Sequence, residues 1–193
     1  MNGVLETGFA TFGLLVAIRV FDASEGSKGI LAAAMSAGLL LTPWVIKMAS
    51  RSGLTATKFG SCLMVLSGIF TAGASLASNS TSYTFCLVVG QLCAAQLPGL
   101  MIQVYSRNYG PNEGGRRISW NVMSSALVGM AISYWFGSSL DNSAENFRWI
   151  FSGMCIFALL SAATLLPIPS ESIKEPEGSK NSFASGILIV WED

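Results

Sequence analysis

Few side chains in this 193-residue chain could do chemistry, and the most concentrated group lies in the segment YSRNYGPNEGGRRISW, residues 105–120. It holds Arg107, Arg116 and Arg117 around Gly110, Pro111, Gly114 and Gly115. Guanidinium forks this close in sequence could grip an anion or a nucleic-acid phosphate, or could only mark a loop kept on one side of a membrane. The glycines and the proline interrupt a helix, so the segment is predicted to be a connector. Glu6, Arg19, Gln91, Gln96, Gln103 and Asn121 are charged or amide groups set inside apolar runs. No histidine occurs, and Cys62, Cys86, Cys93 and Cys155 show no metal-ligand spacing. Zinc chemistry and histidine-dependent catalysis have no residues to stand on, and each cysteine reads as a small hydrophobe. No enzyme activity, cofactor or metal is expected.

The elements that must position these residues are apolar. Hydrophobic residues make up 51% of the chain and charged ones 11%, which leaves too little polar surface for a soluble globule. Net charge is zero and the basic residues form no stripe, which disfavours nucleic acid as a partner. Six apolar stretches, 3–21, 29–47, 59–77, 83–105, 118–140 and 149–167, each approach the roughly 20 residues that cross a bilayer as a helix. The runs are too long, and alternate too little, for barrel strands. The expected fold is an all-α membrane protein with six transmembrane helices over residues 1–167, followed by a polar linker over 168–193. The first stretch is the weakest, because Glu6 and Arg19 interrupt it; no basic region precedes it, so it is read as a retained helix rather than a signal peptide.

Loop charge sets the expected orientation. Lys47, Arg51, Lys58, Arg107, Arg116, Arg117, Lys174 and Lys180 fall on one side, and Lys28 and Arg148 on the other. The positive-inside rule then puts both termini in the cytoplasm, in a multi-pass protein of the plasma (cell inner) membrane. Trp44, Tyr105, Tyr109 and Trp120 would lie at the cytoplasmic interface, Tyr83 and Trp149 at the outer one. Glu6 is placed near the cytoplasmic end and in contact with water. Helix contacts are expected at Gly129, Ser133 and Gly137, at Ala34 and Gly38, and at Gly68 and Ala72, where small residues four apart let backbones approach.

The order of these features resembles the amino-terminal half of a major facilitator superfamily transporter. A basic loop follows the second helix, the fourth helix runs into YSRNYGPNEGGRR, and Gly137, Leu140, Arg148, Trp149 and Phe151 match the turn that leads into the family's sixth helix. The resemblance spans residues 1 to about 167. It implies half of a twelve-helix bundle built as a 3+3 inverted repeat, and secondary active transport of a small solute by alternating access. KMASRSGLTATK keeps Arg51 and Gly53 of the family's loop between helices two and three but lacks its Asp, the carboxylate that a charge-relay latch there would use. The mid-membrane arginine of the family's proton antiporters is missing from the fourth helix, which does not support proton antiport.

Arg19, Gln96, Gln103 and Asn121 are the candidates for the solute path, since polar groups at depth face the protein interior or water. For the glutamines and Asn121, a hydrogen bond that only ties helices together explains them equally well. Gln96 and Gln103, seven apart, share a helix face. Arg51, Gly53, Arg107, Arg116 and Arg117 are assigned to cytoplasmic loops and gating. The apolar residues Phe183 and Ile187 to Trp191 suggest that the chain stops where a second six-helix half starts; the other reading is a short interfacial segment. The partners expected are therefore a small solute, the lipid bilayer, and either that second half or a second copy. A six-helix scaffold or regulatory subunit without transport is the competing function.

Overall fold

In a computed structural model of the chain, residues 2–109 and 111–170 are described. Serine, threonine and asparagine side chains cap three of the α-helices, glycine ends one of them, and proline marks a break between two others. The first rod is α1 (Asn2–Thr7), a π-helical segment (Gly8–Gly13) and α2 (Leu14–Arg19). Ser24 caps α3 (Glu25–Ser52) by accepting from the Ser27 amide at 3.3 Å. Gly53, at φ +67°, closes α3 in the left-handed conformation that glycine adopts without steric cost. Thr55 caps α4 (Ala56–Ser75), and Asn79 caps α5 (Ser80–Ala94) through the Ser82 amide at 2.7 Å. After a break at Ala95 and Gln96 come α6 (Leu97–Asn108), α7 (Pro111–Asn142), a 3-10 turn (Ala144–Asn146) and α8 (Phe147–Leu165). The elements form six rods: I (α1 to α2), II (α3), III (α4), IV (α5 and α6), V (α7) and VI (α8).

The fold among the described residues is all-helical, with four helices long and apolar enough to cross a bilayer: Glu25–Ser52, Ala56–Ser75, Ser80–Ile102 and Ala144–Leu165. Rods I and V do not join them. Rod I is divided by its π segment and carries Glu6 and Arg19. Rod V is long enough, but Asn121, the serines at 119, 124, 125, 133, 138 and 139, and its tryptophans and tyrosine dilute its apolar content.

The expected connector at 105–120 is also corrected. Rod V starts at Pro111 and runs through Gly114 and Gly115, so Arg116 and Arg117 lie on a helix. Proline is favoured in a first helical turn, where its missing N–H costs nothing, and Glu113 there complements the helix dipole. Glycine weakens a helix by about 1 kcal/mol without forbidding it. The linker expected over 168–193 lies outside the described residues from 171 onward.

Packing fixes the direction of each rod. Gly3 meets Ser125, Thr7 meets Gly129, Phe12 packs edge-on against Phe136, and Arg19 reaches Asp141, so rods I and V run parallel. Gly38 faces Ala95 and Thr42 faces Gly99, which makes II and IV parallel. Gly60 faces Leu165, the Ser61 hydroxyl donates to the Ala162 carbonyl, and Gly68 faces Ala158, so III and VI are antiparallel. Gln91 donates to the Phe9 carbonyl while Gly13 lies on Leu87 and its carbonyl accepts from Tyr83, so I and IV are antiparallel. The expected small-residue contacts at Gly38, Gly68 and Gly129 are present, while nothing lies within 4 Å of where a Cβ on Gly137 would stand.

One end of the bundle, the basic end, gathers Arg51, Lys58, Arg116 and Arg117. There the Thr57 hydroxyl meets the Ser170 hydroxyl at 2.6 Å, and Asn108 donates to the Pro169 carbonyl. At the far end Phe21 stacks on Tyr83, with Phe147 and Phe151 edge-on around them.

Candidate functional site

The two buried glutamines, Gln91 and Gln96, lie where the helical pattern is irregular. Pro98 cannot supply the N–H that a continuous helix would send to the Ala94 carbonyl, and α5 accordingly gives way to α6 at Ala95 and Gln96. The Gln96 amide tightens onto the Cys93 carbonyl. Its side chain, 2% exposed, donates from Nε2 to the Gly38 carbonyl of rod II at 2.7 Å and to the Leu92 carbonyl at 3.0 Å. The Gln96 Oε1 atom has no partner among the described residues. Gln91, equally buried, donates from Nε2 to the Phe9 carbonyl at 3.4 Å, inside the π segment of rod I, and its Oε1 is unpartnered too. A π segment widens the helix and frees carbonyls from regular pairing. On rod II, Thr42 Oγ1 is a third buried polar atom without a partner there.

Glu6 belongs to this region. It lines a cavity with Leu5, Met35, Met64, Ala94 and Pro98, with a volume of about 10 Å³, close to the room one water needs. Its depth follows from the antiparallel register of rods I and IV, in which Phe9 meets Gln91 and Gly13 meets Leu87; Glu6 then stands opposite Ala94. Met64 on the same cavity is eight residues into rod III from Ala56, about 12 Å at 1.5 Å per residue. Glu6 stands in the first turns of rod I, which packs against the middle of rod IV, and it is exposed, in keeping with the expectation of contact with water. The Glu6 side chain is exposed on the open edge of the cavity.

The residues expected to line a path part company. Gln96 is in the interior. Arg19 is at the far end, held to Asp141 at 3.0 Å with both side chains more than half exposed. Asn121 stands exposed on rod V toward the basic end, away from the glutamines. The side chains of Gln103 and Arg107 lie outside the described residues. Arg51 is exposed in the last turn of α3, and Gly53 serves as its cap. Arg116 and Arg117 are exposed, and the Arg117 guanidinium lies 4.8 Å over the Tyr109 ring, which neighbours Tyr105. Sequence reasoning missed that Gln91 reaches the π segment of rod I and that Thr42 is buried against Gly99. The available signals were Pro98 and Pro43, whose missing amides leave helix carbonyls free near each of them.

Among the described residues no three His, Cys, Asp or Glu side chains come together to hold a metal ion. The interior offers the amide oxygens of Gln91 and Gln96 as unpartnered acceptors among the described residues. Comparison with known protein families, curated proteins and solved structures finds no match to this chain.

Proposed function

We propose that the chain is a membrane protein of six spans that forms half of a secondary active transporter, moving a small solute by alternating access against a second half. The observation that carries this reading is the exchange pattern in the helix contacts. Swapping rods I, II and III for IV, V and VI turns the I–V contact into IV–II, I–VI into IV–III and I–II into IV–V. It maps III–VI and I–IV onto themselves, and all of these pairs are in contact. Rods I and IV are antiparallel, as the two members of an inverted repeat must be. This supports the 3+3 arrangement of a major facilitator-type half independently of any sequence motif.

Rod I, about 27 Å long at 1.5 Å per residue, and rod V between Trp120 and Asn142 would complete the six spans across roughly 30 Å of hydrocarbon. The basic end then faces the cytoplasm, with both termini there, in the plasma membrane. The partner is a second six-helix half or a second copy, and no cofactor or enzymatic step is involved. A scaffold without transport is the second reading; the small cavity, and the engagement of both Gln96 donors by backbone carbonyls, favour it.

Uptake of a panel of labelled amino acids, sugars and organic anions into vesicles carrying the chain, alone and with a second half, separates the two. Flux with the second half supports the transporter; none under any condition, with the bundle correctly inserted, leaves the scaffold. Single cysteines at Glu25 and Glu145 should be labelled from outside the cell by an impermeant maleimide, and one at Glu113 should not.

A further inference from the structure

We propose that residues 167–170, where the chain leaves rod VI, form a strap that ties the end of rod IV to the start of rod III, and that its release frees the end of rod IV to move. That this motion opens the basic end to solute, though not the strap itself, rests on the transporter reading. Both fastenings are hydrogen bonds between elements far apart in sequence. Thr57, 1% exposed in the first turn of rod III, brings its hydroxyl to 2.6 Å from the Ser170 hydroxyl and donates to the Ile168 carbonyl at 3.4 Å. Its backbone amide donates to the Ser170 hydroxyl at 3.3 Å. On the other side Asn108, in the last turn of rod IV, donates from Nδ2 to the Pro169 carbonyl at 3.2 Å and to the Val104 carbonyl of its own rod at 3.0 Å. Three consecutive strap residues thus supply the contacts to both rods.

The first amides of a helix have no carbonyl within their own helix to bond. In rod III the Thr55 hydroxyl accepts from the Lys58 amide, and Ser170 accepts from the Thr57 amide, so a residue 113 positions away completes the cap. The strap is stiff, because Pro167 and Pro169 fix φ at alternate positions along it. A displacement at Ser170 is therefore passed to the Pro169 carbonyl, and from there to Asn108, instead of being taken up between them. The fastenings hold without locking: a hydrogen bond of this kind changes an equilibrium by about two- to tenfold, and Asn108 is exposed, where water can replace its partner. Thr57, by contrast, is buried while the strap is in place. The sequence runs on from Ser170 as ESIKEPEGSK, so a partner that pulls on this stretch pulls first on the Ser170 fastening. Stiffness also makes the two fastenings support each other, which a pair of independent caps would not do.

The test uses the full chain in vesicles of phosphatidylethanolamine and phosphatidylglycerol, with amide hydrogen exchange read by peptide mass spectrometry. Ser170→Ala removes the acceptor of the Thr57 amide, and Asn108→Ala removes the donor to Pro169. Each variant should speed exchange by about two- to tenfold at both places, the first turn of rod III and the last turn of rod IV, where the Tyr109 amide donates to the Tyr105 carbonyl. Faster exchange confined to the rod whose fastening was removed overturns the proposal, because each bond is then a local cap. So does faster exchange that extends to the Ser82 amide on the Asn79 cap at the far end, which marks a general loosening. In Thr57→Cys with Ser170→Cys, the sulfurs replace oxygens 2.6 Å apart, within reach of a disulfide. Oxidation should form that bond and slow exchange in the last turn of rod IV relative to the reduced form. Failure of the bond to form, or exchange there that does not change, also overturns the strap. With a second half present, oxidation should stop solute flux and reduction should restore it. Full flux through the oxidised chain overturns the role of the strap in opening the basic end. Absence of flux from the unaltered chain counts against the transporter reading alone, since exchange decides the strap without transport.

Discussion

Gln96 and Arg19 show how similar polar residues in apolar runs end in different roles. The Gln96 amide ties rod IV to the Gly38 carbonyl of rod II, where no side chain stands between the backbones. A hydrogen bond between membrane helices contributes on average about 0.6 kcal/mol and at most about 1.7. Gln96→Leu should therefore lower the stability of the bundle in detergent by no more than about 1.7 kcal/mol. Gln96→Glu should cost several times more, since it sets a charge against two carbonyls. Thermal unfolding of the two variants checks this, and equal losses would show that Gln96 is solvated.

Arg19 and Asp141 form an exposed pair at the far end, where solvent screens them. A double-mutant cycle on Arg19→Gln and Asp141→Asn should give a coupling below about 1 kcal/mol. A coupling well above that would put the pair in a desolvated place and return Arg19 to the solute path.

At the scale of the element, glycine decides how closely the rods approach. A Cβ on Gly38 would stand 2.6 Å from the Ala95 Cβ, and one on Gly129 would stand 2.6 Å from the Thr7 hydroxyl. Gly137, on the same rod as Gly129, has open space. Gly38→Val and Gly129→Val should then push their rods apart and cost about 1–3 kcal/mol, as overpacking does, while Gly137→Val should be nearly neutral. Chemical denaturation in mild detergent separates the three; comparable losses at Gly129 and Gly137 would refute the parallel register of rods I and V. Gly53→Ala should cost about 1–2 kcal/mol for a different reason, the left-handed φ of +67° at the end of α3.

The same elements show what could be read in advance. Apolar length located α3, α4, α5 and α8, because a bilayer-crossing helix announces itself by composition alone. The spacing of small residues located three contact points. Composition could not show that Gly114 and Gly115 stay helical, since a helix begun by Pro111 and carrying Glu113 in its first turn accommodates two weak residues that a free segment would not. Nor could it pair Gln91 with Phe9, a contact that depends on which part of rod IV faces rod I, a long-range register that no local pattern encodes.

For the whole molecule, the three arginines that stand out in the sequence become a question about motion. Rod V is one helix from Pro111 to Asn142, and its packing on rod I begins near Ser125. Its first turns therefore project past rod I toward the basic end, and there Arg117 grips Tyr109 at the end of rod IV. Rods IV and V are joined by this contact and a short connection, so a tilt of one against the other has to open or close it. An exposed cation–π contact is worth about 0.5–1 kcal/mol, a two- to fivefold change in the population of two states. Each arginine near an anionic surface gains about 1 kcal/mol more from lipid, in whichever state brings it closest. In the transporter reading, Arg116→Gln with Arg117→Gln should change the maximal transport rate by a few-fold and leave the solute affinity within about a factor of two. The rate change should shrink in vesicles made without anionic lipid. Both follow because these side chains lie beyond the Glu6 and Gln96 layer and act on the balance between states. A loss of solute affinity of tenfold or more, with the rate and the labelling pattern of single cysteines intact, would instead place the solute at the basic end and overturn this assignment of the arginines.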